Sequence, residues 1–205
     1  PFTPGFEVAG VVNAVGRAVA EFKPGDEVVA LMGPTLGGHA TLVNTPAYLV
    51  VKKPATLSFV DAAAFPAVYL TAVIAFEKAD LLADESVLIQ TAAGGVGLMA
   101  VQLAQQAGAT IFATAGSDAK CAYLQSLGID HVINYRQRDF AAEVARLTDG
   151  RGVDVVLNTL PVEYIQKGLK SLAAGGRYIE IAMTGLKSAA ALDLRTLVNN
   201  QSIHT

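Results

Sequence analysis

Two hydrophobic rhythms divide the chain. Up to about residue 57, apolar positions alternate or gather in short β-branched runs, the spacing of half-buried strands. Glu7–Val15, Glu27–Leu31, Ala40–Val43 and Tyr48–Val51 fit this pattern. Pro24-Gly25-Asp26 and Gly33-Pro34 supply turns, and Lys52-Lys53-Pro54 closes the region. The Gly37-Gly38-His39-Ala40 step marks a close backbone approach or a bulge. From Ser58 the period lengthens. Ser58 suits the N-cap of a short helix over Val60–Ala64, Pro66 interrupts it, and a second helix is expected from Leu70 to Ala79. Strands then alternate with helices. The strands are expected at 86–91, 110–115, 131–134, 153–158 and 176–181, and the helices at about 96–107, 118–127, 139–148 and 163–173. Gly108, Gly128, Gly152 and Gly175-Gly176 punctuate them. This alternation predicts a doubly wound parallel sheet in the strand order 3-2-1-4-5, with a sixth strand beginning near Gln201.

The stretch from Ser86 to Ala107 carries the chemistry. Val87-Leu88-Ile89 reads as a buried strand, and Val96, Met99, Ala100, Leu103, Ala104 and Ala107 share one face of a helix. Between them lies Ala92-Ala93-Gly94-Gly95-Val96-Gly97, a G-x-G-x-x-G turn whose first position is Ala. Gly94 lets a pyrophosphate approach the backbone, and Gly97 lets the helix pack closely on the strand. The helix N-terminus adds free N–H groups and a partial positive charge, worth roughly 0.3–1 kcal/mol toward an anion. The turn is read as dinucleotide-binding, the alternative being a purely structural β–α turn.

The end of the second strand bears on which dinucleotide. NAD sites place an acid about 20 residues past the turn, on the ribose 2′-hydroxyl. Here that position is Gly116, followed by Ser117-Asp118-Ala119-Lys120. Without the acid there is room for a 2′-phosphate, with Ser117 and Lys120 as its hydroxyl and ammonium partners, so NADPH is favoured over NADH. In the alternative, Ser117 only caps the next helix and Lys120 is a solvated first-turn residue. Asp118 is awkward for a phosphate if its charge points inward. Tyr135 and Arg136 follow the third strand and can close over the adenosine end, or Tyr135 only packs at the sheet edge. Asn158 ends the fourth strand at the ligand-binding edge, where it contacts ribose or nicotinamide or else ties down its loop.

Composition narrows the classes. The chain is 52% hydrophobic and 16% charged with a formal charge of −3, and its pI is about 5.6. No basic cluster suits nucleic acid. The near-apolar run Ala62–Phe76 is broken by Pro66 and Thr71 and falls short of the about 20 residues a membrane span needs. The single Cys121 allows no internal disulfide, which fits a reducing, cytoplasmic setting, and no signal peptide is visible. His39, His131 and His204 are too scattered for a metal site. No acid–base pair stands out, which suits hydride transfer carried by a cofactor.

Pro4-Gly5-Phe6-Glu7-Val8-Ala9-Gly10-Val11-Val12, Gly25-Asp26 before Val28, and the Ala-Ala-Gly-Gly-Val-Gly turn resemble the medium-chain dehydrogenase/reductase superfamily. Its zinc alcohol dehydrogenases carry a ligand His where this chain has Phe6, so the resemblance is to the zinc-free quinone oxidoreductase and enoyl reductase branch. Val87–Gly97, Gly152–Leu160 and Gly175-Gly176-Arg177-Tyr178-Ile179-Glu180-Ile181 further resemble the enoyl reductase domain of modular type I polyketide synthases. The likeness runs the length of the chain. It implies a partial GroES-like β domain over 1–57, followed by an NADP-binding Rossmann-type domain over 58–205. Both would be truncated pieces of a longer polypeptide, with the last strand or strands missing, an open sheet edge and poor folding alone.

The resemblance further implies reduction by NADPH of the C=C of an α,β-unsaturated thioester on an acyl carrier protein, among neighbouring synthase domains. Tyr69, Thr71, Met183 and Thr184 are candidates for the nicotinamide end. Tyr69 and Thr71 are equally readable as core. Where these domains often carry a proton-donating Lys, this chain has Met183, which cannot donate, and Gln90 replaces a common His. Open alternatives are a stand-alone NADPH quinone oxidoreductase, a cyclopropane-forming relative, and a catalytically silent NADPH-binding domain.

Overall fold

The computed structural model describes residues 4–182 and 192–205. It divides into two compact units, Pro1–Leu70 and Thr71–Thr205. The division falls inside a helix, some way after the change of rhythm at Ser58.

The first unit holds an antiparallel sheet of β1 (Glu7–Val11), β2 (Glu27–Leu31) and β3 (Val50–Lys52), in that order. Ala9 lies opposite Val29, and Val29 opposite Val51. β1 is shorter than the apolar run that predicts it. Its ladder ends at Val11 opposite Glu27; Val12 bonds the turn itself, donating to the Asp26 carbonyl and accepting from the Gly25 N–H, both at 2.9 Å. Ala40–Val43 is not a strand. Its residues are exposed and unladdered, and β-branched content makes no strand without a neighbouring edge. Of Tyr48–Val51, the first part forms a 3-10 turn at Ala47–Leu49 and only the end enters β3. The glycine step at 37–38 is the expected close approach, with the Gly38 N–H donating to the Gly5 carbonyl at 3.0 Å.

α1 (Phe59–Ala63) is capped by Ser58, whose Oγ accepts from the Asp61 N–H at 3.1 Å. α2 (Pro66–Ala79) starts at the proline expected to end the first helix, four residues before the expected start at Leu70. Proline suits the first helical position because that N–H has no intrahelical acceptor. The Glu7 carboxylate then accepts the Ala67 N–H at 2.6 Å, tying β1 to the start of α2.

The second unit is a parallel sheet crossed by helices. After β4 (Ser86–Ile89) come α3 (Gly95–Ala107), β5 (Thr110–Ala115), α4 (Asp118–Ser126), β6 (His131–Asn134), α5 (Phe140–Leu147), β7 (Val153–Asn158), α6 (Ile165–Lys170), β8 (Leu172–Glu180) and β9 (Ser202–His204). The strand order is β6-β5-β4-β7-β8-β9. The predicted order therefore holds for its first five strands. The sixth begins at Ser202, beside the expected Gln201: Ser202–His204 pairs with Arg177–Ile179, so β9 and not β8 is the edge of the described sheet. β8 begins at Leu172, four residues before the expected start. Buried Leu172 opposite Val153 outweighs the helical reading of 163–173, and a register shift absorbs the irregularity.

Alternate residues of the strands feed two cores. Val87, Ile89, Val155 and Leu157 pack with α2 and α3, while Leu88, Phe112, Val156 and Tyr178 pack with α5 and α6. His131 stacks on Phe112 at 4.6 Å, a structural role. At the amino edge of the sheet, Arg177 is a staple. Its Nη atoms pair with both Glu85 oxygens at 2.8 and 2.7 Å, and its Nε donates to the last carbonyl of α2, that of Ala79, at 2.8 Å. No helix among the described residues is long and apolar enough to cross a membrane.

Candidate nucleotide site

The turn joining β4 to α3 lies at the carboxyl edge of the sheet, beside the point where strand order reverses from β4-β5 to β4-β7. Ligands of doubly wound sheets bind at this crevice. The α3 ladder begins with the Leu98 N–H donating to the Gly94 carbonyl at 2.8 Å. The N–H groups of Gly95, Val96 and Gly97 precede that ladder and form the positive end of a 13-residue helix.

The glycines divide their work as the spacing implies. A Cβ on Gly97 would lie 2.6 Å from the Ala92 Cα and 2.6 Å from the Thr91 carbonyl oxygen, so the helix start is pressed onto the turn. A Cβ on Gly94 would meet only the Thr91 oxygen, at 3.3 Å. Gly94 is therefore not needed for packing, and its open side is room for a ligand. Ala92 is fully buried, and its N–H donates to the Thr114 carbonyl at 2.8 Å.

At the end of β5, the space in front of Gly116 is bounded by two side chains from the β6 end. A Cβ there would lie 3.0 Å from the Tyr135 hydroxyl and 3.3 Å from Arg136 Nε. Tyr135 is held in place edge-on to Tyr164, with centroids 5.6 Å apart. Ser117 caps α4 through a long 3.4 Å bond from the Lys120 N–H, and Lys120 is exposed in the first turn. Asp118 is accounted for. Its two oxygens accept from the Asn134 and Gln137 amides at 2.7 and 3.1 Å, and these bonds hold its carboxyl below the usual range. The carboxylate is thus directed to the β6 end.

Asn158 is fully buried. Its amide donates to the Leu160 carbonyl and to a Glu180 oxygen, both at 2.9 Å, and its oxygen accepts the Leu160 N–H at 3.3 Å. Those bonds tie down the loop after β7 and use both amide hydrogens of Asn158, which leaves it no free donor for a cofactor. Tyr69 stacks on Phe65 at 4.7 Å within the first unit, and Thr71 is half-buried in α2. Met183 and Thr184 lie outside the described residues. The structure therefore brings together the turn 92–97 and, separately, the group Gly116, Tyr135 and Arg136.

Sequence reasoning did not single out Thr91, Thr159 or Glu180. Thr91 adopts φ 45°, a left-handed backbone rare for a β-branched residue. Its hydroxyl bonds that of Thr159. Glu180 is 2% exposed and accepts from Asn158, from the Tyr178 hydroxyl at 3.2 Å and from the Ala182 N–H at 2.8 Å. Burial raises its carboxyl above the ordinary value despite these donors. Burial likewise raises the Tyr178 phenol. A Glu closing a strand of apolar residues was the available signal for Glu180. No local pattern announced the Thr91 backbone.

Phe6 is 64% exposed where zinc relatives have a ligand His, and among the described residues no group of three His, Cys, Asp or Glu side chains can hold a metal. Burial raises the thiol of Cys121, the one cysteine.

Comparison with known proteins agrees with this geometry. Residues 1–55 match the alcohol dehydrogenase GroES-like domain, and residues 95–204 match the zinc-binding dehydrogenase family. A phenolphthiocerol/phthiocerol polyketide synthase of Mycobacterium tuberculosis is 45% identical over 199 residues, which are 97% of this chain and 9% of that protein. The chain thus spans about a tenth of the length of the curated relatives it matches. The crystal structure of CurK enoyl reductase superposes with a TM-score of 0.86 at 43% identity, covering 98% of this chain and 59% of that one. The nucleotide-binding subdomain of the enoylreductase domain of PpsC from Mycobacterium tuberculosis is 46% identical with a TM-score of 0.62, over 66% of this chain and 76% of that one. The chain therefore belongs to the zinc-binding dehydrogenase family, in the branch formed by the enoyl reductase domains of polyketide synthases.

Proposed function

We propose that this chain is the cofactor-binding part of an enoyl reductase that uses NADPH to saturate an α,β-unsaturated acyl thioester carried on an acyl carrier protein. The observation that carries the reading is the pair of features at the carboxyl edge. One is a helix N-terminus opened by Gly94, and the other is an acid-free β5 end enclosed by Tyr135 and Arg136. When bound, NADPH supplies a hydride for the β-carbon of the enoyl group.

The chain's own residues bind and orient. The N–H groups of Gly95, Val96 and Gly97 receive the pyrophosphate, with Gly94 allowing its approach. Arg136 bounds the Gly116 notch, and Ser117 and Lys120 follow Gly116 at the start of α4; a guanidinium, a hydroxyl and an ammonium suit a 2′-phosphate. Tyr135 offers its ring to the adenosine. The Asn134 and Gln137 amides occupy the two carboxylate oxygens of Asp118.

Titration of the chain with NADPH and NADH, followed by cofactor fluorescence, tests the reading. NADPH is expected to bind at least about tenfold more tightly, the worth of one or two charge-assisted hydrogen bonds. Equal affinity for both, or none for either, refutes it. Turnover assays on the polypeptide that carries the chain separate the acceptors. Reduction of a crotonyl thioester supports the enoyl reductase, whereas reduction of quinones alone makes it a quinone oxidoreductase.

A further inference from the structure

The three loops that bound the carboxyl edge are tied together by a belt of buried hydroxyls, amides and one carboxylate. Gln90, the residue after β4, neighbours Thr114 of β5 on one side and Asn158 of β7 on the other, and Asn158 lies opposite Glu180 of β8. The Thr91 N–H donates to Thr114 Oγ1 at 3.2 Å, and Thr114 Oγ1 donates to Gln90 Oε1 at 2.6 Å. Thr159 Oγ1 donates to the Gln90 carbonyl at 3.0 Å. Its proton is thereby engaged, so in the Thr91–Thr159 contact the Thr91 hydroxyl is the donor and Thr159 the acceptor. Gln90 is fully buried with its oxygen turned to Thr114, and its Nε2 has no partner among the described residues. An unpartnered buried donor is costly, and it persists here with the amide oxygen serving the belt.

The residue under strain is Thr91, at φ 45°. A β-branched residue stays left-handed only when its surroundings over-determine it. This conformation places the Thr91 carbonyl in the notch of the phosphate turn. That oxygen accepts the Gly94 N–H at 2.9 Å and lies 2.6 Å from where a Gly97 Cβ would stand. A relaxed Thr91 would swing the carbonyl out of the notch, and the N–H groups of Gly95–Gly97 would lose their common aim.

We infer that Thr159 is a positioning residue for the cofactor. Its hydroxyl latches Thr91 in the left-handed conformation, so the loop after β7 sets the shape of the phosphate turn after β4. The inference rests on the NADPH-binding reading for its affinity readout, and on the turn's geometry alone for its second readout.

The test is a cycle of variants in the whole chain. Thr159→Val keeps the shape and removes the hydroxyl, and it weakens NADPH binding about tenfold. Thr159→Ser keeps the hydroxyl that accepts from Thr91 and binds within about twofold of the wild type. Thr91→Gly adopts the left-handed backbone without help and keeps its affinity. In that background Thr159→Val costs less than about twofold, because the latch no longer has strain to hold. Amide hydrogen exchange at Gly94, whose N–H donates to the Thr91 carbonyl, gives the independent readout in the cofactor-free chain, rising in Thr159→Val and unchanged in Thr159→Ser. A tenfold loss that persists in the Thr91→Gly background overturns the latch, as does unaltered exchange in Thr159→Val. A wild type that binds neither cofactor ends the NADPH reading, while the exchange comparison still decides the latch.

Discussion

Gly94 and Gly97 sit three residues apart in one turn, and the structure predicts opposite consequences for the same substitution. In Gly97→Ala the new methyl lies 2.6 Å from the Ala92 Cα, 2.7 Å from the Ala92 carbonyl carbon and 2.6 Å from the Thr91 oxygen. All three are backbone atoms and none can rotate away. Ordinary contact requires the α3 start to retreat by about 1 Å, which opens the seam where Ala100, Val101 and Ala104 are buried against the sheet. With three backbone atoms this close, overpacking costs about 2–3 kcal/mol, the upper part of its usual range, and about 1 kcal/mol of improved helix propensity offsets part of it. A net loss of about 1–2 kcal/mol lowers the melting temperature by roughly 2–8 °C in a chain of this size.

Gly94→Ala meets only one oxygen, at 3.3 Å, on a backbone at φ −93° that alanine adopts freely. Its stability is expected within about 0.5 kcal/mol of the wild type, helped by a less flexible unfolded chain. Its NADPH affinity is expected to fall at least about tenfold, because the methyl occupies the approach of the pyrophosphate. Thermal or urea unfolding beside a cofactor titration reads both variants. A Gly97→Ala protein as stable as the wild type refutes the packing argument. A Gly94→Ala protein that binds NADPH normally refutes the phosphate argument.

Other expected outcomes follow from the site and its supports. Gly116→Asp restores the acid of an NAD site against flexible neighbours, so the NADPH-to-NADH affinity ratio falls by at least about tenfold, and an unchanged ratio removes the Gly116 notch from the 2′-phosphate site. Lys120→Ala weakens NADPH several-fold and leaves NADH unchanged, and equal losses for both would make Lys120 a helix residue only. Arg177→Met removes a half-buried ion pair together with the tie to the Ala79 carbonyl, and lowers unfolding free energy by about 2–3 kcal/mol at neutral pH. The hydrogen bond from Arg177 holds the Glu85 carboxyl below its ordinary value of 4.5. A carboxyl depressed on folding stabilises above its unfolded pKa and loses that contribution as pH falls through the folded one. The gap between wild type and Arg177→Met therefore narrows below about pH 4.5, and a gap that widens in acid contradicts the assignment.

The sequence by itself determined the doubly wound sheet, the order of its first five strands, the glycine turn between β4 and α3 and the acid-free end of β5. These are local signals: a β-branched run, glycines at set spacing and a helical face each act within a few residues. The bounds it missed were those that depend on a partner. Ala40–Val43 has strand composition but no neighbouring edge, Pro66 opens a helix because Glu7 receives the adjacent N–H, and Leu172 joins β8 because Val153 lies opposite. Only the tertiary structure decided how the site residues share their bonds. Asn158 proved tied to Leu160 and Glu180, and Asp118 to Asn134 and Gln137. Thr91 and Thr159, 68 positions apart, meet only because β4 and β7 are neighbours. A hydrogen-bond partner is set by where strands lie in space, and the chain's local pattern carries no record of it.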